Sequence, residues 1–153
     1  MAQPFSLQPL LELMQTRTDE ATRSLGKLIA AEQSQRSRLQ MLEQYREEYA
    51  QRLRESIALG ITRLVMLNYQ EFLARIDEAI EQQRIVVQNS ELSTKAGQEH
   101  WKTQNRQLKA IDTLSQRHDA RQRYRENRQE QKLQDEFTTR KFSAANASDS
   151  NDD

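Results

Sequence analysis

The chain has 153 residues, 23 basic and 23 acidic, with 3 Gly, 2 Pro and no Cys. Without cysteine there is no disulfide, thiolate metal site or cysteine nucleophile; the balanced charge argues against general electrostatic binding to nucleic acid; and no stretch approaches the ~18 uninterrupted apolar residues of a membrane span. The length suits one domain, and 35% apolar with 30% charged residues fits a thin helical seam better than a packed globule.

The N-terminal segment has no basic region ahead of an apolar core, and Glu12 interrupts it, so no secretory signal is expected and a cytosolic setting is. Ser6 is a candidate N-cap for the first helix, with Pro9 tolerated in the first turn because its missing N–H has no intrahelical partner there. That helix is predicted over about 6–58. Gly60 suits the left-handed conformation that ends helices, and Thr62 can cap the next one, with Ile61 and Met66 as a hydrophobic staple. The second helix is predicted over about 63–141, since Gly97 alone does not break it. The small, polar, acidic stretch 143–153 is expected to be disordered.

Both helices carry heptads. In the first, Leu11, Thr18, Leu25, Glu32, Leu39, Arg46 and Leu53 form one seam position, and Met14, Ala21, Leu28, Gln35, Leu42, Tyr49 and Ser56 the other. In the second, the predicted seam is Val65, Tyr69, Phe72, Ile76, Ala79, Gln83 and Val86, weakening through Ser93 and Gly97 before Ile111 and Leu114. A short loop at Gly60 forces the helices antiparallel, which sets Leu53 near Tyr69, Tyr49 near Phe72, Leu42 near Ala79, Gln35 near Val86, Leu25 near Gly97 and Leu11 near Ile111. Gly26 and Gly97 fall at one level, either a close backbone approach or a flexible point, and the weak seam nearby at Glu32 and Ser90 favours the second. The fold class is therefore all-α: a long two-helix antiparallel coiled-coil hairpin. The longer second helix should overhang from about Arg117, ~35 Å if helical.

Chemistry of a catalytic kind has little support. His100 and His118 stand about five turns apart on one helix and cannot converge on a metal within the chain; no phosphate loop, His-Glu-x-x-His or nucleophile elbow is present. No enzyme activity and no cofactor are expected. Two surfaces stand out instead. Arg38, Leu42, Tyr45 and Tyr49 form a helical stripe, and Phe72, Ile76, Ala79 and Gln83 repeat its spacing, so the antiparallel register lays the two side by side on one face. A two-helix hairpin cannot bury all of that face, and exposed aromatic patches mark binding sites. The overhang is the second surface: Trp101–Lys141 holds 11 basic and 6 acidic residues, including Arg117, Arg121, Arg123, Arg125 and Arg128. An Arg-rich helix can bind nucleic acid or dock on protein carboxylates by forked hydrogen bonds. Asp119, Glu126 and Glu130 break the basic run, as in a merely solvated helix, while the apolar surface of Leu133 and Phe137 favours a protein partner.

To about Phe142 the sequence resembles the flagellar FliJ family: in length, in the hairpin turning near Gly60, in the aromatic patch beside that turn, and in Trp101 followed by a charged C-terminal helix. The resemblance implies a cytoplasmic component of the flagellar type III export apparatus, held at the inner face of the cell membrane without inserting into it. The implied hairpin is similar to the coiled-coil stalk of the rotary F-type ATPase. Its implied partners are the hexameric export ATPase FliI, whose assembly it promotes, the export-gate protein FlhA, FliH and export chaperones. The patch at Leu42, Tyr45, Tyr49, Phe72, Ile76 and Ala79 would meet the gate; Arg38 and Gln83 depart in type from the residues of the family there. The arginines from Arg117 to Arg128 would meet carboxylates of the ATPase. A virulence type III secretion stalk and a generic coiled-coil scaffold share the same architecture.

Overall fold

A computed structural model describes residues 3–149. Two helices account for nearly all of them: α1, Gln8–Leu59, and α2, Arg63–Asp149, with no strand among the described residues. α1 starts one residue later than the Ser6 cap would place it. The Leu11 amide donates to the Leu7 carbonyl at 2.9 Å and Gln8 to Phe5 at 3.0 Å, so Ser6 lies in the turn ahead of the helix and Pro9 is its second residue. The helix ends as its sequence dictates: Gly60 takes φ 85°, the left-handed region open to glycine, and its amide bonds back to Ile57 at 3.1 Å. Thr62 then caps α2, its carbonyl accepting from Met66 at 3.1 Å and its Oγ1 from Val65 N–H at 3.3 Å. Ile61 and Met66, the two staple residues, are half-buried.

α2 does not stop near residue 141. It continues through the segment expected to be disordered as far as Asp149, while 150–153 lie outside the described residues. Ala144, Ala145 and Ala147 are strong helix formers, and the serines bond back to the helix: Ser143 Oγ donates to Thr139 O at 3.0 Å and Ser148 Oγ to Ala145 O at 2.8 Å.

Packing divides the chain into two units. The hairpin unit, Thr16–Asn105, contains the turn and the facing stretches of both helices. The α1 side of its seam holds the residues the heptads named, from Thr18 and Ala21, both buried, to Ser56. The α2 side differs from expectation at every second position. Ile76, Ile80, Val87 and Thr94 are buried, and Met66, Tyr69, Leu73, Gln83, Ser90, Gly97 and Trp101 are half-buried on the same stripe. Val65, Phe72, Val86 and Ser93, expected in the seam, are exposed, and Ala79 is only half-buried. At those alternate positions the packed residue is the next one along, Met66, Leu73, Ile80, Val87 and Thr94, and Val65, Phe72 and Val86 widen the apolar face beyond the seam itself.

The antiparallel register is as expected. Tyr49 and Phe72 pack with ring centroids 4.5 Å apart, and a Cβ on Gly97 would lie 3.5 Å from Leu25 Cδ1. Gln35 meets Gln83 rather than Val86: Gln83 Nε2 donates to its carbonyl and to its Oε1, both at 2.9 Å. Gly97 is a site of close approach, where Leu28 Cδ1 would sit only 2.6 Å from its Cβ; around Gly26 the space is open.

The terminal unit comprises the described parts of Met1–Gln15 and Arg106–Asp153. Leu11 and Met14 are its buried residues. The non-helical start of the chain is tied to α2: His118 Nε2 donates to the Gln3 carbonyl at 2.9 Å, Gln122 Nε2 to the same oxygen at 3.3 Å, and the Phe5 and His118 rings lie 5.5 Å apart. Pairing therefore extends past Arg117 to Gln122; after it every described residue of α2 is exposed.

Candidate functional site

The heptads give each helix of the hairpin unit two flanks. In α1 the a positions include Leu39, Arg46 and Leu53, and the d positions Leu28, Gln35, Leu42 and Tyr49. In α2 the a positions are Met66, Leu73, Ile80, Val87 and Thr94, and the d positions Tyr69, Ile76, Gln83, Ser90 and Gly97. Positions e border a, positions g border d, and antiparallel pairing sets e against e and g against g.

The middle of the e flank is closed by polar contacts, while Ile29 and Ile57 are exposed toward its two ends. Arg36 pairs with Glu91 at 2.7 Å and Arg84 with Glu43 at 3.7 Å. Arg46 bonds Asp77 through Nε, and that hydrogen bond, with the carboxylate charge, holds the guanidinium pKa above its ordinary value. Further along, Trp101 Nε1 donates to Thr22 Oγ1 at 2.9 Å, and that hydroxyl donates to Thr18 O at 2.9 Å.

The g flank is open, and it is apolar along α2. Along α2 its positions are Val65, Phe72, Ala79 and Val86, a line without charge; along α1 they are Ala31, Arg38, Tyr45 and Arg52. Tyr45 is 48% and Phe72 41% exposed. The rings of Tyr49 and Phe72 meet at 56°, a tilted arrangement favoured by their quadrupoles, and the Arg52 guanidinium carbon lies 5.1 Å from the Tyr49 ring centroid. Tyr49, Phe72, Val65, Tyr69 and Asn68 line a hollow of about 260 Å³.

The predicted patch is the d and g stripe of both helices, and the structure does bring its two halves together. Its members differ in availability. Arg38, Tyr45 and Phe72 face solvent; Leu42, Tyr49 and Ala79 are half-buried. Ile76, 8% exposed, belongs to the core. Gln83 is held in the seam by Gln35 rather than set beside Arg38. Val86 and Arg52 join the surface although the patch reading omitted them. The signal for Val86 was present in the uncharged line repeating every seven residues from Val65.

In the terminal unit all five candidate arginines are exposed. Arg117, Arg121, Arg125 and Arg128 follow helical spacing on one face, and Arg123 points away from it. Arg117 and Arg121 edge a hollow of about 210 Å³ with Phe5, Leu7 and Leu114, while Arg123 borders a separate one with Gln3, Gln122 and Glu126. Among the described residues no group of three or more His, Cys, Asp or Glu could hold a metal ion, and no helix is long and apolar enough to cross a membrane.

Comparison with known proteins gives a consistent picture. Residues 3–147 match the family described as "Flagellar FliJ protein". The chain is 33% identical to a flagellar FliJ protein of Salmonella typhi over 140 residues, which covers 92% of this chain and 95% of the relative. It is 31% identical to the flagellar FliJ protein of Escherichia coli (strain K12) over the same length and shares.

Proposed function

The chain belongs to the flagellar FliJ family, and from that membership we propose that it is a non-enzymatic component of the flagellar type III export apparatus. It binds and promotes assembly of the hexameric export ATPase FliI and couples it to the export gate FlhA, with FliH and export chaperones as further partners, at the inner face of the cell membrane. Gate docking falls to the g flank of the hairpin unit. ATPase docking falls to the arginine face of α2 in the terminal unit.

The observation that carries this reading is the contrast between the two flanks. An exposed aromatic surface, set opposite a flank whose middle is already engaged in ion pairs, leaves that side of the hairpin to bind a protein. The arginines fit carboxylates, which they engage through forked hydrogen bonds.

Pull-downs with the gate and the ATPase, alongside swimming in a strain lacking the native gene, test the division of labour. Tyr45→Ala with Phe72→Ala should lose the gate and keep the ATPase. Arg117, Arg121, Arg125 and Arg128 changed together to Glu should lose ATPase stimulation and keep the gate. Equal loss of both partners by either variant, with helicity intact, would refute the assignment.

A further inference from the structure

The g flank has the pattern of a helical bundle that lacks a member. A two-stranded coiled coil needs apolar residues only at a and d, with charge at e and g. A helix facing a larger bundle core adds a third apolar position per heptad. Here the middle of the e flank follows the first rule, with its charges at Arg36, Glu43, Arg84 and Glu91 and exposed Ile29 and Ile57 as exceptions toward its ends, and the α2 g line follows the second. That line spans Val65 to Val86, ~32 Å of helix. Beyond it the groove continues as a second hollow of about 260 Å³ lined by Leu28, Ala31, Val86, Asn89, Ser90 and Ser93. Small side chains at 31, 79, 90 and 93 leave room for a backbone to come close.

Charge defines what fits. Arg38 and Arg52 stand on the α1 rim one heptad either side of Tyr45, and among the described residues neither forms an ion pair. Glu48 and Glu55 lie at c on the same rim, and among the described residues neither pairs with these arginines. The α2 rim at Asn68, Gln82 and Asn89 is polar and uncharged, and Arg75 there is paired within its own helix to Glu71 at 2.9 Å. A second copy of this chain would bring carboxylates only from its α1 rim, at Glu48 and Glu55, and none from its α2 flank.

We propose that the g flank, from Val65 past Val86 to Ser93, receives one amphipathic α-helix of a partner, apolar on the face it inserts and acidic along the edge that runs over Arg38 and Arg52. This rests on the reading of the flank as a docking surface and specifies the shape and charge of what docks. The partner helix completes a three-helix bundle over this stretch, with side chains at i, i+3, i+4 and i+7 as its anchors.

The test uses the full chain and three fluorescein-labelled 21-residue peptides of our design. One has Leu at the anchor positions and Glu along one edge; one replaces those Glu by Lys; one has the first composition in scrambled order. Anisotropy and far-ultraviolet circular dichroism at low salt read binding and helix gain. The acidic peptide should bind at least tenfold tighter than the Lys peptide and become helical on binding, and the scrambled peptide should not bind. Val86→Arg and Ala31→Arg, each at a site with room for the change, should abolish that binding with the helicity of the protein unaltered. Arg38→Glu with Arg52→Glu should reverse the preference to the Lys peptide. Equal binding of both charged peptides, or binding that survives Val86→Arg, overturns the proposal. Sedimentation that shows a dimer broken by Val86→Arg overturns it too, in favour of a second copy. If peptides fail while pull-down of the gate persists, the helix-in-groove geometry falls and the docking surface stands; if both fail, the reading of the flank falls with it.

Discussion

Gly97 separates two accounts of the mid-hairpin seam, and replacing it by Ala sets two effects of similar size against each other. Inside a helix, Gly to Ala is favourable by about 1 kcal/mol from backbone entropy. At Gly97 the new methyl would lie 2.6 Å from Leu28 Cδ1, a separation at which something must move. Leu28 is half-buried and borders the hollow with Ala31 and Val86, so its side chain can swing at a rotamer cost of about 0.5–1.5 kcal/mol. The two effects nearly cancel, and Gly97→Ala should leave stability within about 0.5 kcal/mol of the parent. Gly26 is the internal control: its surroundings are empty within 4 Å, so Gly26→Ala should stabilise by the full ~1 kcal/mol. In a Leu28→Ala background the obstacle is gone, and Gly97→Ala should then recover its full gain, a coupling of about 1 kcal/mol between the two positions. Urea unfolding followed by Trp101 fluorescence and circular dichroism measures all of these, since Trp101 sits one turn away in the same seam. Stabilisation by ~1 kcal/mol from Gly97→Ala alone, without coupling to Leu28, would show that the close approach does not exist.

Two further outcomes follow from the same seam. Val87 and Val86 are chemically identical neighbours with 7% and 39% exposure; Val87→Ala should cost about 2 kcal/mol and Val86→Ala less than half of that in the same unfolding assay. Glu43→Lys should destabilise by no more than about 1 kcal/mol at low salt, be restored by Arg84→Glu, and lose its effect near 1 M salt, because the pair is half-exposed.

Much of this architecture is legible in the sequence, and the residues show where legibility ends. The α1 seam reads directly because Leu, Met, Ala and Thr recur at heptad spacing on a face with charged neighbours. The turn reads directly because only Gly60 can supply the positive φ and Thr62 the cap. The α2 seam misleads because Phe72, Val65 and Val86 are as apolar as the residues that pack, while Thr94, Gln83 and Ser90 inside the seam are polar. Hydrophobicity cannot tell a buried threonine bonded to a helix carbonyl, as Thr94 Oγ1 is to Leu28 O at 3.4 Å, from a solvated one. Composition misjudged the C-terminal stretch for a related reason: Ser and Asn read as loop formers, yet local serine-to-carbonyl bonds and three alanines keep it helical. The candidate site inherits both lessons. Its aromatic pair is legible in the sequence, while the division into core, surface and flank is set by the packing of Leu73, Ile80 and Val87.

The antiparallel register that sets Tyr49 against Phe72 underlies both the open flank and everything docked to it. A nuclear Overhauser spectrum of full chain, mixed from differently isotope-labelled pools so that intra- and intermolecular signals separate, measures it most directly. The account predicts strong intramolecular cross-peaks between the Tyr49 and Phe72 ring protons, whose centroids lie 4.5 Å apart. Absence of those peaks, or their presence only between molecules, would contradict it.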